Sequence, residues 1–353
     1  MPTSPLVDRP NIDALTSLRF FAALYVLFLH SGSHYVTRRL GLEGGWIDNF
    51  LANGYLGVSF FFVLSGFILI HVYSRPLVAG DKIFSYALAR FARVYPVYLL
   101  SLILILPITK DVQLVSAWPQ FFLLQSWPLQ HLGVSPANWN GPAWTLSVEL
   151  LFYLMFPILA KTWLKLELPA LFTVGAICAL LMIGFWSPSI GTGREIAYPA
   201  LDWLPVPVAR LPEFVFGMTL GRIFHRVRNR FDGKWLFRLS LLGAIIALSA
   251  SPAASISGFA AFFFGLIILA IACSKDGLAI RFLSLRPLVF LGGASYALYI
   301  LQTPVRLLLG AAFTGNLDMI GRVSYYPTLF VLSSLIFLYF EEPARKFIRG
   351  KFR

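Results

Sequence analysis

Apolar segments long enough to cross a lipid bilayer recur along this 353-residue chain. A spanning helix needs about 20 mostly apolar residues, and the sequence predicts ten such helices. The predicted spans are 15–31, 54–74, 88–107, 143–160, 168–187, 210–226, 237–252, 256–274, 287–309 and 325–341. Hydrophobic residues make up 58% of the chain and charged residues 13%, against about 25% charged in soluble domains. This composition predicts an all-α, polytopic membrane helix bundle and argues against a soluble enzyme.

Segment 115–128 is apolar but too short to cross a bilayer, and it contains two prolines and two glutamines. We expect it to form a re-entrant or interfacial segment. Cytoplasmic loops of membrane proteins are enriched in Lys and Arg, so the net charge of +13 tests the topology. With ten spans, 21 of the 29 basic residues fall on one side of the membrane, five on the other side and three within spans. This split predicts that both termini lie in the cytoplasm.

The distribution of charge and cysteine also limits the partners. Because the basic residues follow the membrane topology, we expect no nucleic-acid partner. Cys178 and Cys273 each lie within a predicted span, which predicts two buried thiols, with a disulfide between them as the alternative. No CxxC or HExxH pattern occurs, so we predict no metal site. The loops are short, which predicts a single membrane domain over 1–353, surrounded by lipid and without a soluble domain.

Ionisable side chains within a span are costly and are candidates for function. Arg19 and His30 both lie on the first predicted span. Eleven residues separate them by about 16 Å of helix rise and bring them to the same face. A histidine suits a general base at neutral pH. The structural alternatives are an arginine that reaches the membrane interface and a histidine at a helix end bonded to a carbonyl.

Two further patterns follow in the next two spans. Segment 54–67 has three glycines that permit close backbone approach, and Ser65 is a polar group among its phenylalanines. The alternative role for Ser65 is helix packing on a face of small residues. Arg90 and Arg93 share one helix face at i and i+3, and two forked guanidiniums suit phosphate groups. The alternative is that these arginines only follow the topology rule.

Carboxylates occur in the fourth and sixth predicted spans. Glu149 is a carboxylate that would cost several kcal/mol if buried alone, and His30, at a similar expected depth, is a candidate partner. The alternative is a Glu–Arg pair that only holds helices together. Arg210 and Glu213 stand at i and i+3, and we interpret this pair as mainly structural.

Polar residues also recur near the end of the chain. Tyr296, Tyr299 and Gln302 recur every three residues and line one helix face, with aromatic packing as the alternative to a binding role. The closing motif begins Glu341-Glu342-Pro343, where we expect the proline to end the last helix.

The ordered set of these motifs resembles the acyltransferase 3 family of integral membrane acyltransferases. The set consists of the ten-residue spacing between Arg19 and His30, GYLGVSFFFVLSGF, RFARVYP, WTLSVELLFY, RLPEFVFGM, LGGASYALY and EEPARK. It extends from about 13 to 348. The resemblance implies a multi-pass enzyme of the bacterial inner membrane. Such an enzyme moves an acyl group, usually acetyl, from acyl-CoA as co-substrate to a hydroxyl of a surface polysaccharide or of another acceptor, such as a macrolide.

The resemblance also implies roles for individual residues. His30 would be the catalytic base or acyl carrier, with Arg19 and Glu149 as further catalytic residues. The implied acyl-CoA contacts are Arg90, Arg93 and Ser65. As contacts to substrate we predict, from their positions in the spans, Trp144, Tyr299, Gln302, Arg210 and Glu213.

One position departs from the family pattern, because family members often carry a histidine where this chain has Gln302. A relay between two histidines is therefore in doubt, and the prediction rests on His30. The alternative function is a transporter or flippase of a lipid-linked sugar or small solute. Transporters often contain internal repeats, and the sequence shows no second copy of the Arg19–His30 pattern.

Overall fold

The structure of the chain is a computed structural model, and all regular secondary structure in its described part is helical. It describes residues 12–78, 83–108, 114–129, 139–184, 204–228, 230–250, 259–312 and 319–350. The first helices are α1 (Ile12–Ser31), α2 (Ser33–Arg39), α3 (Trp46–Ala52), α4 (Gly57–Val78), α5 (Ile83–Ile105), α6 (Leu114–Phe121), α7 (Trp144–Trp163) and α8 (Leu168–Gly184). The remaining helices are α9 (Val206–Ala209), α10 (Leu211–Val227), α11 (Lys234–Ser249), α12 (Phe259–Cys273), α13 (Leu278–Leu283), α14 (Arg286–Ala312), α15 (Met319–Ile336) and α16 (Glu342–Gly350).

Five helical segments in the described part of the chain are long and apolar enough to cross a membrane. They are Ile12–Ser31, Trp46–Tyr73, Ile83–Ile105, Gly141–Trp163 and Arg286–Ala311. Two shorter apolar helices, Leu168–Ile183 and Phe259–Cys273, accompany them. Each of the ten predicted spans coincides with a helix, and the number of ten crossings stays a prediction. The two cysteines are buried and free, as expected.

The segment that was expected not to cross contains the short helix α6. Its eight residues rise only about 12 Å, less than half of a bilayer core. The chain then turns and packs inside the bundle. Gln120, in the last turn of α6, is buried. Its backbone carbonyl accepts a hydrogen bond from Tyr98 Oη (2.9 Å), and its side-chain Oε1 accepts one from the backbone N–H of Trp139 (3.1 Å).

Helices α4 and α10 run parallel and touch backbone to backbone. A Cβ atom on Gly66 would lie 2.0 Å from the carbonyl oxygen of Phe214, and one on Gly217 would lie 1.9 Å from that of Val63. Only glycine permits this approach, and small residues at the contact are typical of membrane helix pairs. The predicted close approach at Gly66 is confirmed.

Helix α1 packs against both α4 and α14. It runs antiparallel to α4, because the start of α4 lies beside Ala22 and Val26. It runs parallel to α14, because Arg306 Nη1, far along α14, donates to the carbonyl of His30 (3.3 Å). We therefore name the two ends of the bundle by the first and last residues of α1, the Ile12 end and the Ser31 end.

The expected end of the last helix at Pro343 is wrong. A π-helical turn, Phe337–Glu341, follows α15 directly, and α16 continues from Glu342 to Gly350. Proline is tolerated in the first turn of a helix. Pro343 is the second residue of α16, just after the wider π turn, so the chain stays helical through it.

Candidate functional site

A cavity of about 300 Å³ lies in the half of the bundle toward the Ile12 end. Five helices line it, namely α1, α4, α5, α7 and α14. Its polar lining consists of Thr16, Arg19, Ser65, Tyr73, Arg90, Arg93, Thr145, Glu149, Tyr153, Ser295, Tyr296 and Tyr299. The rest of the wall is apolar. Six of the residues predicted from the sequence therefore meet in one place, and they are Arg19, Ser65, Arg90, Arg93, Glu149 and Tyr299.

The three arginines of the cavity differ in their contacts. Arg90 Nη2 donates to Tyr73 Oη (2.8 Å), and its guanidinium lies 4.9 Å from the centre of the Tyr73 ring and 5.9 Å from that of Tyr153. Arg19 and Arg93 make no hydrogen bond and no ion pair within 4.0 Å with any residue that the structure describes. Two guanidiniums that face a cavity with all donors unused are suited to bind an anion.

Glu149 is the only carboxylate among the described residues that line the cavity. Tyr153 Oη donates to its Oε2 (2.9 Å), and the carboxylate interacts electrostatically with Arg19 and Arg93. Three guanidiniums therefore oppose one carboxylate. Because charges interact strongly in a site of low dielectric constant, this excess favours a ligand with several negative charges.

His30 does not line the cavity. Among the residues of α1 the cavity reaches Ile12, Leu15, Thr16 and Arg19, whereas His30 is exposed near the Ser31 end, about 16 Å further along the helix. Its Nδ1 lies 2.8 Å from the carbonyl oxygen of Val26. A carbonyl only accepts, so Nδ1 carries the proton and Nε2 keeps its lone pair. This tautomer can take a proton or attack a carbonyl through Nε2.

The expected pairing of His30 with Glu149 is wrong. Glu149 is bonded to Tyr153 and lies beside the cavity arginines. Val26, one turn before His30, packs in a buried cluster with Val58 and Phe62, which line the cavity. This apolar layer separates the carboxylate from the imidazole.

Arg210 and Glu213 form the predicted i,i+3 pair, away from the cavity. Arg210 Nη1 donates to Glu213 Oε1 (2.8 Å), and Ser59 Oγ donates to the same oxygen (2.8 Å). The Arg210 guanidinium lies 5.7 Å from the centre of the Trp144 ring, which packs edge to face on Phe62 at 6.1 Å. Arg210, Glu213 and Trp144 therefore stand behind the cavity wall.

Gln302 also lies outside the cavity lining and is buried. Its Nε2 donates to the backbone carbonyl of Tyr299 (2.9 Å), and its backbone carbonyl accepts a hydrogen bond from Tyr325 Oη (3.0 Å). Tyr299 reaches the cavity, and its hydroxyl donates to the carbonyl of Pro142 (3.1 Å). Of the three residues predicted to share one face of α14, Tyr296 and Tyr299 therefore line the cavity, whereas Gln302 is buried between helices.

Sequence reasoning missed several tyrosines of the site. Tyr153 follows Glu149 by four residues and Tyr73 follows Ser65 by eight, both of which are spacings on one helix face. A search for tyrosines on the same face as each in-span polar residue would have found both. The described residues contain no group of three or more His, Cys, Asp or Glu side chains able to hold a metal ion.

Comparison with known proteins gives a family match over most of the chain. The family model described as an acyltransferase domain matches residues 12–342. The chain is 29% identical to acyltransferase MdmB of Streptomyces mycarofaciens, over 60% of this chain and 57% of that protein. It is 27% identical to nodulation protein 10 of Rhizobium leguminosarum bv. viciae (66% and 65%) and 23% identical to O-acetyltransferase OatA of Staphylococcus aureus (97% and 57%).

The chain thus spans between 57% and 65% of the length of these relatives. No solved structure matches it. The apolar helices and the membrane acyltransferase relatives together indicate a multi-pass membrane protein.

Proposed function

The chain belongs to the acyltransferase 3 family, and from this premise we propose that it is a membrane O-acyltransferase that uses acyl-CoA. The proposed reaction moves an acetyl group to a hydroxyl of a sugar in a surface or exported polysaccharide or in its lipid-linked precursor. The name of one relative, O-acetyltransferase OatA, supports acetyl transfer to oxygen. Arg19, Arg90 and Arg93 in one cavity carry the proposal.

The arginine cluster suits the phosphates of CoA. A guanidinium binds a phosphate through two parallel N–H groups, and the unused donors of Arg19 and Arg93 supply such pairs. Arg90 is already held by Tyr73, so it adds charge from a fixed position. Glu149 keeps the unliganded cluster from carrying its full positive charge.

The predicted topology puts this cluster where CoA is found. Both termini are expected in the cytoplasm of a bacterial cell, so the Ile12 end of the bundle would face the cytoplasm and the Ser31 end the opposite side of the inner membrane. The acyl donor would then enter from the cytoplasm and point its thioester toward His30. The acceptor would approach from the Ser31 end, where His30 is exposed.

The path between donor site and His30 is closed by aromatic and apolar side chains. The rings of Phe61 and Tyr299, 6.1 Å apart, stand at the cavity, and Val26 and Val58 pack beyond them. The extended pantetheine arm of CoA is comparable in length to the rise from Arg19 to His30. We therefore propose that donor binding displaces Phe61 and Tyr299.

His30 then acts through Nε2. It removes the proton of the acceptor hydroxyl, whose oxygen attacks the thioester carbonyl. The C–S bond breaks, and the CoA thiolate leaves and takes the proton back from His30. In the second route Nε2 itself attacks the thioester carbonyl, the C–S bond breaks and the CoA thiolate leaves. The acceptor oxygen then attacks the acyl-imidazole, the C–N bond breaks to restore His30, and the proton of the acceptor hydroxyl neutralises the thiolate.

Labelled transfer in lipid nanodiscs tests this function. Purified protein is incubated with acetyl-labelled acetyl-CoA and candidate glycans. The His30→Ala variant is compared with His71→Ala, which replaces a half-buried histidine at the opposite, Ile12 end of the bundle. General-base catalysis contributes about 10²- to 10⁴-fold, so His30→Ala should lose transfer by at least about 100-fold while it still binds CoA. His71→Ala should keep most of its activity.

A His30→Ala variant that transfers acetyl at the normal rate would refute the role of His30. A wild-type protein that moves a lipid-linked sugar across the bilayer without transfer of label would favour the transporter alternative. Mass spectrometry of surface glycans from cells with and without the gene would identify the acceptor by the loss of one acetyl group.

A further inference from the structure

Glu341 is a buried carboxylate at the end of the π-helical turn Phe337–Glu341. Its side chain is 1% exposed, and Oε2 has no hydrogen-bond partner. No hydrogen bond or ion pair within 4.0 Å joins it to any other residue in the described part of the chain. An ionised carboxylate in such a place costs several kcal/mol unless charges nearby offset the cost.

The charges that offset this cost belong to the cavity. Glu341 interacts electrostatically with Arg93 on α5 and Arg19 on α1, the two guanidiniums that also interact with Glu149 but make no hydrogen bond with a described residue. The other polar groups that face it are Tyr296 on α14 and, on its own end of the chain, Arg345 and Glu342. Arg345 forms an ion pair with Glu342, so Arg19 and Arg93 are the cations near Glu341 that have no ion pair within 4.0 Å in the described part of the chain.

The π turn explains how Glu341 reaches this position. A π-helical turn holds more residues than an α-helical turn, and such turns are frequent at functional sites. The turn packs against α5 and α14, which carry Arg93 and Tyr296. Glu341 faces the interior, whereas Glu342, the next residue, stays partly exposed. The two adjacent glutamates therefore have separate surroundings.

We propose that Glu341 is a positioning residue that sets the charge and orientation of Arg19 and Arg93 in the donor site. It does not line the cavity, so it acts on the ligand only through the two arginines. In the unliganded protein the Glu341 carboxylate balances the positive charge of both arginines from outside the cavity. The N–H groups of the two guanidiniums stay directed to the cavity. When an anion binds to the arginines, the negative charge of Glu341 lowers the affinity of the site for that anion. The CoA product can then dissociate. This inference rests on the proposed function.

The Glu341→Gln substitution keeps the shape of the side chain and removes its charge. Coulomb's law for a unit charge about 8 to 25 Å from the bound anion, at an effective dielectric constant of about 20, predicts an affinity change of about 3- to 30-fold. We therefore expect the Kd for CoA and the KM for acetyl-CoA to fall by this factor. The kcat should fall as well, because the product leaves more slowly. A purely structural role would lower stability and leave KM unchanged.

The experiment measures CoA binding, KM, kcat and thermal unfolding of four proteins in nanodiscs. These are the wild type, Glu341→Gln, Glu341→Asp and the matched control Glu342→Gln. The Glu341→Asp variant keeps the negative charge but moves it away from the arginines by the length of one methylene group. Its Kd for CoA should therefore lie between those of the wild type and Glu341→Gln. The control should bind CoA as the wild type does.

A double-mutant cycle with Arg93→Gln completes the test. In the Arg93→Gln background the effect of Glu341→Gln on the Kd should shrink by at least half. Independent effects, or an unchanged Kd in Glu341→Gln, would overturn the role of Glu341 while leaving the donor site intact. If Glu341→Gln does not fold, the same cycle with Glu341→Asp must show a smaller coupling of the same sign, and no coupling refutes the proposal. A wild type that binds no CoA would overturn the proposed function itself.

Discussion

Arg90 and Arg93 are one turn apart, yet the structure predicts that their loss has different consequences. Arg93 faces the cavity and makes no hydrogen bond or ion pair within 4.0 Å with any residue that the structure describes. Arg90 donates to Tyr73 and lies over two tyrosine rings. Arg93→Gln should therefore weaken donor binding with a smaller loss of stability than Arg90→Gln, because the lost attraction to Glu341 and Glu149 is partly offset by relief of the repulsion between Arg93 and Arg19. Arg90→Gln should weaken both donor binding and the fold.

The magnitudes follow from the contacts. A hydrogen bond to a charged group contributes about 1.5–3 kcal/mol, so loss of Arg93 should raise the KM for acetyl-CoA by about 10- to 150-fold. Arg90→Gln also loses the 2.8 Å bond to Tyr73 and the ring contacts. Together these changes should destabilise the protein by about 2 kcal/mol, which should lower the Tm by several degrees.

Steady-state kinetics and thermal unfolding followed by tryptophan fluorescence measure the two effects on the same nanodisc samples. Arg226→Gln serves as control, because Arg226 is an exposed arginine at the same end of the bundle, in a weak 3.4 Å pair with Glu167. It should change neither quantity. Equal losses of Tm in Arg90→Gln and Arg93→Gln, or an unchanged KM in Arg93→Gln, would refute the assignment of separate roles.

Two further predictions concern the packing around the site. Gly217→Ala should lower the Tm, because its Cβ would lie 1.9 Å from the Val63 carbonyl oxygen and overpacking costs about 1–3 kcal/mol. Gly310→Ala, where the added Cβ meets open space, is the control, and equal Tm values would contradict the prediction. Glu213→Gln should cost about 3–5 kcal/mol, since it leaves a buried arginine unpaired, and should not alter the KM for acetyl-CoA in the fraction that remains folded. A normal Tm with a raised KM would instead place Glu213 in the substrate site.

Sequence reasoning could predict which helices form and most of the charged residues of the cavity. Membrane burial makes every in-span charge costly, and this cost singled out Arg19 and Glu149 before any contact was known. Arg90 and Arg93 were singled out by their shared helix face at i and i+3. The motifs that carry the family resemblance contain these residues, and the family match over 12–342 confirms the resemblance.

The errors arose where the position of one helix relative to another decided the outcome. Depth along single helices put Glu149 beside His30, but the actual packing brings Glu149 to Tyr153 and the arginines. Composition also could not show the π turn that carries Glu341 inward, because π-helices have no strong sequence signal. Pro343 was expected to end a helix that continues for several more residues.

The contact of α4 with α10 has a consequence for how the cavity accepts a ligand. Backbone atoms that touch at Gly66 and Gly217 leave these helices no room to approach further or to slide past each other. The α4 wall, which includes Ser65 and Tyr73, is therefore a fixed frame. A cavity of about 300 Å³ holds only part of a CoA molecule, so under the proposed function the rest of the donor would lie outside it or the cavity would widen. Helix α5 makes few direct contacts with α4, so a widening between these two helices would move Arg90 and Arg93 relative to the α4 wall. Donor entry and phosphate binding would then be coupled to the same displacement.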